Sequence, residues 1–103
     1  VLISPGWGAG WYTWNNFNSQ FLFDPILVEL VEEKNNFGTD SKRYDAVIQR
    51  IVKRAEEIDS EGYYSGIDDL VIRWLPVGTK FIVEEFDGNE SIMELNETKW
   101  IEA

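Results

Sequence analysis

The apolar residues of this chain change period once, and that change limits what the chain can fold into. Tyr44, Val47, Ile48, Ile51, Val52, Ala55 and Ile58 recur at i, i+3, i+4, i+7, i+8, i+11 and i+14, which lines one face of a helix. From Leu70 onward the period falls to two, with β-branched and aromatic residues dominant, as strands require. Helices followed by closely connected strands imply an α+β domain, with two helices packed on one face of a mainly antiparallel sheet of three to five strands. Residues 1–103 contain no internal repeat and no linker, so the expectation is a single domain.

Local signals place the elements. Val1 to Ser4 is a short apolar run stopped by Pro5-Gly6 and reads as a first strand buried on both faces. Asp24-Pro25 is an N-cap followed by a proline at the first helical position, opening a helix to about Lys34. Asp40 or Ser41 can cap the second helix. Leu70 to Leu75, Thr79 to Phe86 and Ser91 to Asn96 read as strands, the last two joined at Asp87-Gly88-Asn89-Glu90, where Asp-Gly and Gly-Asn supply the positive φ angles of a tight hairpin. Lys99 to Ala103 can add a short final strand.

Composition excludes more functions than it suggests. At 44% hydrophobic and 27% charged the chain is composed like a globular protein, not a disordered one. No run approaches the ~18 apolar residues of a membrane span, and the first residues lack the pattern of a signal peptide, so the expected setting is cytoplasmic, with no membrane partner. There is no Cys and no His. Disulfides, thiolate nucleophiles, zinc-thiolate sites and the commonest general base are therefore excluded, and no enzymatic activity is expected.

The charge is unevenly placed. Nineteen acids and nine bases give a net −10, yet residues 1–54 balance, whereas residues 55–98 set twelve acids against Arg73 and Lys80. Such crowding serves either solubility or a partner of opposite sign. Direct nucleic-acid binding, which relies on Lys and Arg at phosphates, is not expected. The sharper reading is a basic site on another protein, faced by Glu84, Glu85, Asp87, Glu90 and Glu94 of the hairpin and by Asp68 and Asp69; competition for a nucleic-acid site, by mimicry of its charge, is one form of it. Binding of this kind weakens steeply with salt and is lost on reversing Glu84, Glu85, Asp87 and Glu90, whereas changes at Lys42 and Arg43 matter little. Lys42, Arg43, Arg50, Lys53 and Arg54 make a basic helix face, which leaves internal pairing or self-association open, as monomer or homodimer.

Two other sites compete with this reading. Gly6-Trp7-Gly8-Ala9-Gly10 superficially matches a dinucleotide-binding turn, but Trp11 stands where the third glycine is needed and no βαβ unit follows. Trp7, Trp11, Tyr12 and Trp14 form either an aromatic ligand-binding surface or a cover over the core, with Asn15, Asn16 and Asn18 satisfying backbone groups. The acids around Asp87 do not continue as a calcium loop, so neither metal nor cofactor is expected.

Ser4-Pro5-Gly6-Trp7-Gly8-Ala9-Gly10-Trp11 and the block from Gly78 to Ile92 resemble two segments shared by small acidic proteins of tailed bacteriophages and prophages. The resemblance implies a setting, the bacterial cytoplasm during infection, and a role in binding and inhibiting a host or defence protein. It implies no catalytic residue.

Overall fold

The computed structural model describes residues 1–37 and 41–95. The chain forms an α+β domain in the order β1 (Leu2–Ile3), α1 (Gln20–Phe23), α2 (Pro25–Asn36), α3 (Ser41–Ile58), a 3-10 turn (Ile67–Asp69), β2 (Val71–Ile72), β3 (Phe81–Phe86) and β4 (Asn89–Glu94). The expected single sheet is instead two antiparallel pairs, β1 with β2 and β3 with β4. The expected cap at Asp40 or Ser41 and the final strand at Lys99–Ala103 lie outside the described residues and side chains.

The core is built where the helical period places it. Leu27, Leu30 and Val31 of α2 and Val47, Ile51 and Ala55 of α3 are buried against Leu2, Trp11, Phe21, Ile67 and Leu70. Trp11 is fully enclosed, packs edge-on against Phe21 at 4.9 Å, and donates its indole N–H to the Phe21 carbonyl at 2.7 Å. That bond removes the penalty of burying an indole nitrogen. Lys34 continues the buried stripe of α2, its stem lying over the core while its amine donates to the Asp68 carbonyl at 3.2 Å. Burial holds its pKa below the ordinary lysine value, against the opposing charges of Asp68 and Asp69.

Asp24 caps α2 as expected and also ties it to α3. Its Oδ2 accepts from Leu27 N–H at 2.9 Å and Arg54 Nε at 3.0 Å, and its Oδ1 from Arg54 Nη2 at 2.6 Å. The basic face of α3 is thus partly paired internally, Arg54 also reaching Glu57 and Arg50 reaching Glu33. The Arg54 hydrogen bonds hold the Asp24 carboxyl below its usual 3.8. A depressed carboxylate stabilises the fold fully above its unfolded value and loses that contribution as pH falls through the folded one. Asp24→Asn keeps an oxygen for the cap but gives up the charged pair with Arg54, and is accordingly expected to cost about 1 kcal/mol at neutral pH in urea unfolding. The difference from the parent protein should shrink only below about pH 4.

The hairpin turn is tighter than expected. Asp87 and Gly88 alone occupy it, at φ 49° and 84°, and Phe86 pairs with Asn89. Positive φ at both central residues is what a two-residue type I′ turn needs.

Candidate functional site

The Gly-rich segment after β1 lies between two acidic elements. On one side, the hairpin turn presses against it: Gly8 N–H donates to the Asp87 carbonyl at 2.5 Å, and a Cβ on Gly88 would lie 2.3 Å from Ala9 N. On the other, the 3-10 turn fits closely. A Cβ on Gly66 would lie 2.7 Å from the Gly10 carbonyl, and one on Gly6 would collide with the Asp69 carboxyl. Both acidic stretches named from the sequence therefore meet the aromatic loop, so the two competing sites are one assembly.

Glu90 joins its parts. This residue, expected on the acidic surface, is 0% exposed. Its Oε1 accepts from Ser4 N–H at 2.9 Å, and its Oε2 from Thr13 N–H and Thr13 Oγ1, both at 2.7 Å. Its own N–H donates to the Ser4 carbonyl at 2.8 Å. A buried carboxylate without a cation survives only when such donors satisfy it, and here they come from β1's end and from the loop. Glu90 is therefore withdrawn from any partner and holds the hairpin to the body. The ladder gives the reason: Glu85 lies directly opposite Glu90, and two carboxylates so placed repel unless one is turned into bonds.

Glu85 is exposed but engaged. Its Oε1 accepts from Gly88 N–H at 2.6 Å and from the Trp14 indole N–H at 3.2 Å, stabilising the turn and the loop together. Asp68 accepts the Tyr44 hydroxyl at 2.6 Å; desolvation, reinforced by this bond and by nearby acids, raises the Tyr44 pKa to about 12. Asp69 is exposed beside Gly6. Glu84, Asp87 and Glu94 are exposed as well, and among the described residues none of them forms an ion pair.

The aromatic residues diverge. Trp11 belongs to the core, which removes it from any ligand surface. Tyr12 is half-buried against Phe17, at 5.4 Å, and Trp14 leans on Tyr63 at 5.1 Å. Trp7 is 65% exposed and Phe86 74%, their rings meeting edge-on at 5.8 Å. Asn15 is buried and bonds the Trp11 and Tyr63 backbones, and Asn18 accepts from Gln20 N–H. Asn16 contributes a positive φ of 61°.

Sequence reasoning missed the Trp7–Phe86 pair, because contact between residues so far apart depends on the docking of the hairpin. The pair sits beside acids that have no ion-pair partner among the described residues, a surface with an apolar centre and an anionic rim. Among the described residues no helix is long and apolar enough to cross a membrane. Comparison with protein-family models, curated proteins and solved structures finds no match.

Proposed function

We propose that the protein is a non-enzymatic binding module whose hairpin and Gly-rich loop together engage a basic site on another protein. The supporting observation is the exposed Trp7–Phe86 pair set next to Glu84 and Asp87, carboxylates without an ion-pair partner among the described residues. Aromatic rings attract guanidinium and ammonium groups, and carboxylates add charge and on-rate. Exposed paired aromatics cost solubility, which a purely solubilising acidic surface does not explain. Given the resemblance to phage proteins, the partner is a host or defence protein in the bacterial cytoplasm, inhibited by occupation of its basic site, including one that otherwise holds nucleic acid.

The test is capture from bacterial lysate by the parent protein and by Glu84→Gln/Asp87→Asn, followed by direct binding of the purified partner. Glu90 is left intact, since its loss reports folding. The expected result is a partner held at low salt and retained at least tenfold less well by the variant, about 1.4 kcal/mol. Equal retention by both forms would remove the acidic rim from the function.

A further inference from the structure

The hairpin has two edges, and they differ. Leu95 N–H donates to the Lys80 carbonyl, so by antiparallel alternation the backbone groups of Phe81, Val83 and Glu85 point away from β4. Those of Glu90, Ile92 and Glu94 point out from the other edge. That second edge is closed at its start, where Glu90 N–H meets the Ser4 carbonyl, and the groove beside it contains Arg73. Along the β3 edge no backbone partner appears among the described residues.

A groove of about 430 Å³ runs beside that edge. Phe81 and Val83 line it from β3 as one wall, and Tyr12, Phe17, Leu22 and Phe23 from the loop and α1 as the second, the Phe23 ring meeting Phe81 edge-on at 6.2 Å. Phe17 is 63% exposed and Phe23 54%, so the second wall is apolar and open. At the turn end of β3, Glu84 is exposed and unpaired among the described residues.

We infer that the β3 edge, unpaired among the described residues, is a strand-addition site, at which an extended segment of the partner pairs with Phe81, Val83 and Glu85. Side chains of an added strand alternate between faces. Those on the inner face enter the Phe17–Phe23 groove and are apolar; those on the outer face lie beside Glu84 and are basic. An alternating apolar and basic segment is the occupant that fits, main-chain bonds supplying affinity and the groove supplying selection. A second copy of the chain fits worse, since it brings the same acids and its own net charge of −10 to the junction. This inference rests on the basic-partner reading and names its mode.

The test uses a displayed library of peptides about seven residues long, a strand's length, in which Lys or Arg alternates with Val, Ile, Leu or Phe. Peptides of the same composition in blocked order serve as the control. Alternating peptides should be enriched. An enriched peptide should lose more than tenfold in affinity when N-methylated at the amides facing the edge, which leaves the protein unaltered. Val83→Pro should cost a similar factor, because that N–H is not used by β4 and proline is tolerated on a strand edge. Failure to enrich alternating over blocked peptides, binding indifferent to N-methylation, or self-association that peptides do not compete for would each overturn strand addition. Glu84→Gln/Asp87→Asn separates the two readings. Peptide binding that this pair weakens and N-methylation does not leaves the acidic surface standing without the strand. Binding that N-methylation abolishes and the charge pair leaves unchanged keeps the strand site and removes the acidic reading.

Discussion

Glu90→Ala is expected to lower the unfolding free energy by about 4 kcal/mol, a large part of the roughly 5–15 kcal/mol that holds a small domain together. The carboxylate accepts three bonds in a fully buried position, two of them from the backbone N–H groups of Ser4 and Thr13. Alanine leaves both amides unsatisfied, each at about 1–3 kcal/mol, and adds a small cavity. Thermal unfolding should reflect this as a drop of ~20 °C, using about 4–8 °C per kcal/mol for a chain of this length. Glu90→Gln should lie between, at about 2 kcal/mol, because one oxygen is kept while an NH2 now faces a donor. Thr13→Val, which deletes the hydroxyl donor and keeps the amide, should cost about 1 kcal/mol. A parent-like midpoint for Glu90→Ala would mean that the carboxylate is not held as described.

The second large effect concerns Gly88 and has an internal control. Gly78 and Gly88 have nearly the same backbone, at φ 86° and 84°. A Cβ on Gly78 meets nothing within 4 Å, whereas on Gly88 it meets Ala9 N at 2.3 Å and the Ala9 and Gly8 carbonyl carbons at 2.9 Å. Gly78→Ala should therefore lose only the left-handed penalty, about 1 kcal/mol. Gly88→Ala adds a collision with backbone that cannot rotate away, and about 3 kcal/mol or more is expected. Amide hydrogen exchange distinguishes the consequence from global loss. Protection at Glu90 N–H, which bonds Ser4 O, should fall first, while the α2 and α3 amides stay protected. Equal costs for the two alanines would contradict the close approach of turn and loop.

What the sequence made legible was what local chemistry controls. The apolar period of α3, the Asp24-Pro25 start of α2 and the Asp87-Gly88 turn are each set by neighbours within a few residues, and each stands in the fold. The four-residue α1 was missed: Gln20–Phe23 is too short to show a period, and Ser19 gives it no side-chain cap. Leu70 to Leu75 was expected as a strand; β2 itself is Val71–Ile72, and Arg73 continues the pairing by exchanging backbone bonds with Val1, its N–H to the Val1 carbonyl and the Val1 amino group to the Arg73 carbonyl, both at 2.8 Å. Trp74 beyond it is 73% exposed. At the site, Glu90 read as one more solvated acid because its burial is imposed by Ser4 and Thr13, which no local pattern connects to it. The available signal was the repulsion across the ladder at Glu85 and Glu90, which requires one of them to find donors. Trp11 is the converse case: its loop is rich in glycine and aromatics, and only the packing shows which indole is core and which is surface.

On the proposed function, the hairpin and loop present one binding surface of exposed aromatics rimmed by acids that have no ion-pair partner among the described residues. Its most direct test is a titration of the captured, purified partner against the parent protein, Glu84→Gln/Asp87→Asn and Trp7→Ala/Phe86→Ala at low and physiological ionic strength. Parent affinity should fall steeply with salt, the charge pair should flatten this dependence, and the aromatic pair should cost at least tenfold at either salt, about 1.4 kcal/mol or more. An affinity indifferent to salt and unchanged by both pairs would contradict the proposed function.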